Sequence, residues 1–242
     1  MMSTSVGAKR PHNNDRSLAT LGVVTGLAME AALIPVGTSP RLITHCAGPG
    51  PDAAARAAWR LLEKGCEGLV SFGTAGGLDP ALASGTLVLA TEIRRLGGAL
   101  TLPVDSVARA ALRETCNRRG IPYAEGPLLG SDTAILSPKE KGRLFKETGA
   151  LAVDMESHRV AGIAQDAGLP FLAVRVVADP ANRAVPSWAL KGIDAKGETQ
   201  ALPILLAVLM APWRIPALIH LAQDSARAST TLEAAGKEGF RG

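Results

Sequence analysis

Short apolar runs alternate along most of the chain with amphipathic or alanine-rich stretches, and each spacing predicts an element. Residues 21–27 (LGVVTGL) and 41–46 (RLITHC) read as strands, each closing near a glycine or a polar break. After the turn GPGPD, Asp52 is placed to cap a helix that reaches about residue 64, and Gly65 stands where a left-handed terminal residue is wanted. Residues 68–72 (GLVSF) form a buried strand that feeds a glycine-rich loop, GTAGGLDP. Residues 86–93 give another strand, 106–119 and 138–148 two helices, and 151–153 a brief strand. A helix over 155–167 leads through Gly168 and Pro170 into FLAVRVVAD, 171–179, a central strand. This alternation predicts an α/β fold in three layers, with a mostly parallel or mixed twisted sheet flanked by helices in one domain, 19–232.

Beyond a polar stretch at 180–200 comes ALPILLAVLMAPWRIPALIHLAQ, almost long enough to cross a membrane. Pro203, Pro212, Pro216 and Arg214 interrupt it, and an interior proline or a central arginine each costs a membrane helix roughly 3 kcal/mol. Two shorter helices, 201–211 and 213 to about 228, are expected instead. They either pack on the sheet or lie at a membrane interface. Residues 1–18 lack the apolar core of a secretory signal and read as a solvated, disordered tail.

Composition narrows the function. A chain of 242 residues suits one α/β domain. The net charge of +4 is spread along the sequence and aromatic residues are only 3%, which argues against nucleic-acid binding. Cys46, Cys66 and Cys116 have no CxxC spacing and the four histidines no ligand spacing, so the expectation is no metal and a reducing, cytoplasmic compartment.

Candidate chemistry gathers at three places. Glu156, at a helix start in AVDMES, can accept hydrogen bonds from two vicinal sugar hydroxyls, although an acid there also simply favours the helix dipole. Asp179 ends a strand, where open sheets place their ligands, and Pro180 restricts its backbone; an Asp-Pro pair also starts ordinary turns. Gly73, Gly76 and Gly77 let backbone N–H groups approach an anion, with the Thr74 hydroxyl as a further donor, or they mark a turn without a ligand. No GxGxxG follows the first strand, which argues against a dinucleotide-dependent oxidoreductase.

Taken in order, GTAGGLDPALASGTLVLATE, AVDMES and VRVVADP resemble the nucleoside phosphorylase family, which includes purine nucleoside and uridine phosphorylases and methylthioadenosine/S-adenosylhomocysteine nucleosidases. GLVSFGTAGGLDP, VDMESHRVAG and GLPFLAVRVVADPANR most resemble its hopanoid-associated phosphorylases. The resemblance implies a pentosyltransferase that cleaves a purine nucleoside, releasing adenine from adenosylhopane. Asp179 would donate a proton to the base, and Glu156 with Met155 would hold the ribose. Gly26, Gly73, Thr74 and Gly76 would bind the nucleophile, inorganic phosphate, with no other cofactor. Uridine-type phosphorylases carry an arginine where this chain has Ser71, and the first loop, GLAMEAAL, offers no base of that kind; Glu30 instead fits a water-activating residue. A hydrolytic nucleosidase is therefore the alternative, and a non-catalytic nucleoside-binding protein a further one. His158, two residues past Glu156, is expected to pack or face solvent. The partners implied are a small nucleoside, lipid-linked in the hopanoid case, a membrane surface met through 201–228, and further copies of the chain.

Overall fold

The computed structural model describes residues 20–98, 101–190, 192, 194–200 and 210–239. The expected tail at 1–18 and most of the expected helix at 201–211 lie outside these. The described elements run β1 (Thr20–Thr25), α1 (Ala28–Ala31), β2 (Arg41–Cys46), α2 (Pro51–Glu63), β3 (Gly68–Gly77), β4 (Leu87–Arg95), β5 (Thr101–Pro103) and α3 (Ser106–Arg119). They continue with β6 (Tyr123–Gly130), α4 (Pro138–Thr148), β7 (Ala152–Asp154), α5 (Ser157–Asp166), β8 (Phe171–Asp179), α6 (Ser187–Leu190) and α7 (Ile215–Gly239).

Local chemistry sets the helix ends. Asp105 caps α3 by accepting from the Ala108 N–H at 2.7 Å, and Gly120 closes that helix in the left-handed region. Ser137 caps α4 in the same way, with Pro138 at its first position. At α2 the cap is Gly50 and not Asp52, which falls in the first turn behind Pro51. Gly50 sits at φ 101°, a conformation side chains disfavour, and its N–H points away from the helix toward Glu156.

The sheet is mixed. β1 lies between parallel neighbours β2 and β3, β3 runs parallel to β8, and β8 runs antiparallel to β4. β4 is parallel to β6, β6 to β7, and β7 returns antiparallel to the last residues of β3. Five strands thus close into a ring, β3-β8-β4-β6-β7, while β2, β1 and β5 extend it. Leu69 and Gly22 face Leu61 of α2, whereas Phe72, on the opposite side of β3, meets Gly236 of α7; helices cover both faces.

Two expectations need correction. GTAGG is strand and not loop: Gly73 pairs with Arg175 and Thr74 with Val176 along β8, and Gly76 and Gly77 pair with β7. The final helix ends at Gly239 rather than near 228, because Ala228, Leu232, Ala235 and Gly236 extend its buried stripe. Among the described residues, no helix is long and apolar enough to cross a membrane.

Candidate active site

β1 ends at Thr25, and the chain turns through Gly26 and Leu27 into the single turn of α1, which carries Glu30 back beneath β3. The Glu30 carboxyl is buried. Oε1 accepts from the Thr74 backbone N–H at 2.8 Å and its hydroxyl at 3.0 Å, and Oε2 from the Leu27 N–H at 3.1 Å. Burial pushes the group above the ordinary carboxylate range; the charge of Arg175 and these hydrogen bonds oppose that shift without cancelling it.

Asp154 ends β7, and Glu156 stands between it and α5. Oε1 of Glu156 accepts from the Gly50 N–H at 2.9 Å, and Oε2 lies 3.3 Å from an Arg175 nitrogen. Arg175 is itself buried: Nε is 2.6 Å from Asp154, Nη2 donates to Ser71 Oγ at 2.6 Å, and Nη1 to the Thr74 carbonyl at 3.2 Å. Burial works against the guanidinium charge, but Asp154, Glu156 and Glu30 outweigh it and hold the group protonated. Burial likewise raises Glu156, with Arg175 opposing. Ser71 is thus a hydrogen-bond partner for Arg175, which stands two residues beyond Ser71's own pairing partner, Ala173, on the adjacent strand β8.

Asp179 closes β8. A bulge there sets Gly76 opposite Asp179 although Ala75 pairs with Val177, and the extra residue, Ala178, re-aims the carboxyl. Its Oδ2 lies 2.5 Å from the ammonium of Lys141, on α4. Burial raises Asp179 above its ordinary value, and Lys141 pulls against the rise.

These groups share one cavity of about 300 Å³, whose lining includes Gly26, Glu30, Thr74, Gly76, Met155, Glu156, Arg175 and Asp179. Leu27, Ile135, Leu136, Val153 and Val185 supply an apolar wall. Of the expected site residues Gly73 and Gly77 are off the lining; a Cβ on Gly73 would stand 2.6 Å from Glu30 Oε2, so its bare backbone makes room for that carboxyl. Gly26 and Gly76 stand in the same relation to Glu156 Oε1 and Asp179 Oδ2, at 3.3 and 3.2 Å from a hypothetical Cβ. Gly26, Gly73 and Gly76, expected to cradle phosphate, therefore each abut one of the protein's own carboxyls. His158 packs against Gly130 and reaches Asp132 at 2.9 Å, off the lining.

Sequence reasoning missed Arg175, Asp154 and Lys141. Arg175 did leave a signal, since a lone cation inside the apolar run FLAVRVVA must find carboxylates.

Comparisons with known proteins bear on the fold and on the family. The 5'-methylthioadenosine/S-adenosylhomocysteine nucleosidase of Shewanella baltica is 26% identical over 206 residues, covering 78% of this chain and 86% of the relative. The Mycobacterium bovis protein of the same name is 26% identical over 217 residues, covering 71% and 83%. Among solved structures, the Neisseria meningitidis nucleosidase in complex with methylthio-immucillin-A superposes with a TM-score of 0.70 at 18% identity, over 92% of this chain and 98% of that one. Native futalosine hydrolase of Helicobacter pylori gives 0.65 at 17%, over 90% and 97%. Residues 36–209, well over half the sequence, match the profile of the phosphorylase superfamily. With these strands, this cavity and that match, the chain belongs to the phosphorylase superfamily, which spans nucleoside phosphorylases and nucleosidases.

Proposed function

We propose that this enzyme hydrolyses the N-glycosidic bond of an adenine nucleoside, with water as nucleophile. The observation that carries this reading is how the anion-binding groups are spent. Both Thr74 donors serve Glu30, and Arg175 serves Asp154 and Glu156. Setting aside Asp179, which pairs with Lys141, the described lining then presents Glu30, Asp154 and Glu156 against the single lining cation Arg175, a field that disfavours phosphate and suits a developing cationic sugar. The names of the curated relatives support hydrolysis over the phosphorolysis first expected.

In this reading the C1'–N9 bond lengthens and its electron pair passes to the base, while Asp179 gives its proton to N7 of the departing adenine. Glu156, with Met155 beside it, holds the ribose hydroxyls. A water molecule attacks C1' from the other face and yields its proton to Glu30, leaving a free sugar. Burial suits both acid–base groups to this exchange, because it brings their titration nearer neutrality.

The test is adenine release from methylthioadenosine with and without phosphate. Phosphate-independent release with free methylthioribose is expected. A sugar 1-phosphate formed only when phosphate is present would replace water by phosphate, and adenine affinity without turnover would leave a binding protein.

A lipid-linked substrate such as adenosylhopane is a second reading, favoured by Met210, Trp213, Ile215 and Ile219, all exposed at or just before the start of α7. Arg214 from that segment stacks 5.5 Å over Trp188, three residues beyond the cavity wall at Val185. Adenosylhopane assayed beside methylthioadenosine distinguishes the two, and a higher kcat/KM on the lipid would select it.

A further inference from the structure

The helix α4 reads as a solvated surface helix, PKEKGRLFKET, in which one of three lysines is wholly buried. Lys141 has no exposed side-chain surface, and its ammonium is turned toward the segment that leaves β8. It lies 2.5 Å from Asp179 Oδ2 and donates to the carbonyls of Asp179 at 3.1 Å, Pro180 at 3.1 Å and Arg183 at 3.0 Å. Four oxygens of one short segment thus converge on one cation with three N–H donors. Without it, three carbonyl dipoles and a carboxylate would face one another across a buried space.

We infer that Lys141 is a positioning residue for bond cleavage: by pinning Oδ2 of Asp179 and the turn behind it, it presents the other carboxyl oxygen, Oδ1, to the leaving base. The inference rests on the proposed role of Asp179 as proton donor. Among the described residues, Lys141 is the ion-pair partner of Asp179, and no other side chain holds its carboxyl. The other charge facing it is Asp224 of α7, itself paired with Arg183 at 2.9 Å and Arg227 at 3.2 Å. Arg183, which follows Asp179 in the chain, is thereby turned to α7, and the cation beside the acid comes from α4.

Two effects follow. Fixing Oδ2 restricts rotation of the carboxyl, so the proton on Oδ1 has one direction of delivery. The adjacent ammonium also favours the ionised acid, opposing the effect of burial, and so makes Asp179 a stronger proton donor.

The experiment compares wild type with Lys141→Met, which keeps the side-chain volume and removes the charge, and with Lys141→Gln, which keeps a donor for the carbonyls should the Met variant fail to fold. Two substrates are used: an adenine nucleoside, whose base needs a proton to leave, and 4-nitrophenyl β-riboside, whose leaving group does not. The expected result is a fall in kcat on the adenine nucleoside of about 10- to 100-fold, within the range of general acid help, with the nitrophenyl riboside cleaved within about threefold of wild type. The limb of the pH–rate profile that Asp179→Asn abolishes moves to higher pH in the Lys141 variants, since loss of the ammonium leaves the acid less willing to ionise. Equal losses on both substrates with that limb unmoved would make Lys141 a structural residue only, and wild-type rates on both would remove it from the reaction. Should wild type itself release no adenine, the proposed function falls first and this inference with it.

Discussion

The backbone N–H and the hydroxyl of Thr74 converge on a single oxygen of Glu30, so a strand residue and a residue from the first helical turn, 44 positions apart, are locked together by two bonds. The second oxygen of Glu30 is held by Leu27. In its proposed role as base, a carboxyl supported on both oxygens is oriented before substrate arrives.

Replacing Glu30 with Gln preserves shape and removes the proposed base. The expected outcome is a fall in kcat of about 10²- to 10⁴-fold with adenine affinity within a few-fold of wild type. Steady-state kinetics beside equilibrium binding of adenine checks this; a rate near wild type would take water activation away from Glu30.

Asp179→Asn leaves the bulge of β8 and the neighbouring pairs intact but cannot deliver a proton. Turnover on adenine nucleosides should drop by at least about 10²-fold, with an unchanged circular dichroism spectrum. An undiminished rate of adenine release in the folded variant would exclude this role.

Gly73→Ala places a methyl group within 2.7 Å of three atoms of the Glu30 carboxyl. The chain can relieve this by moving Glu30 off Thr74, and a displacement near 1 Å at a reacting group costs about 10²-fold in rate. The loss should fall on kcat rather than KM. A fully active alanine variant would show that the closeness of β3 to Glu30 is irrelevant to turnover.

Arg175→Met strands Asp154 and Glu156 without their counter-charge in a buried setting. Breaking a buried ion pair at one partner costs about 3–5 kcal/mol, so a fall of that size in the unfolding free energy read from urea denaturation is expected, whatever happens to activity. Stability unchanged by the substitution would contradict the central place of this guanidinium.

Stability also depends on pH through Glu30. Its carboxyl titrates above its unfolded value when folded, so the folded state binds the proton more tightly, and the stability this gives is present below the unfolded pKa and lost as pH rises through the folded one. Glu30→Gln lacks that loss. Its Tm should therefore gain on wild type as pH is raised from below the ordinary glutamate range toward neutrality; a difference constant with pH would mean that Glu30 titrates alike in both states.

Much of this architecture was legible in the order of apolar runs, because buried strands such as FLAVRVVAD and capped helices such as 106–119 announce themselves locally. β6 did not, since YAEGPLLG contains a glutamate, a proline and two glycines and yet pairs with both β4 and β7. The glycines of β3 misled for the same reason: glycine is depleted in strands, and the tertiary contacts of Gly73 with Glu30 and of Gly76 with Asp179 explain its presence at those two positions. Glu156 and Asp179 were readable as candidates from their places at a helix start and a strand end, and Glu30 only through the family resemblance. Lys141 was hidden among charged neighbours, although its spacing from Leu144 places it on the inward face of α4. Distances between segments far apart in sequence, such as Gly50 to Glu156, have no local signature.

Gly76 has Asp179 across one of its edges and Val153, neighbour to Asp154, across the other. The proposed proton donor is therefore gauged against one rung of a closed strand ring, while part of the apolar wall comes from separate connections such as the one carrying Val185. Those connections can change in length and sequence while the rung that aligns Asp179 stays as it is. Diversification of substrate at constant chemistry is what such a layout permits.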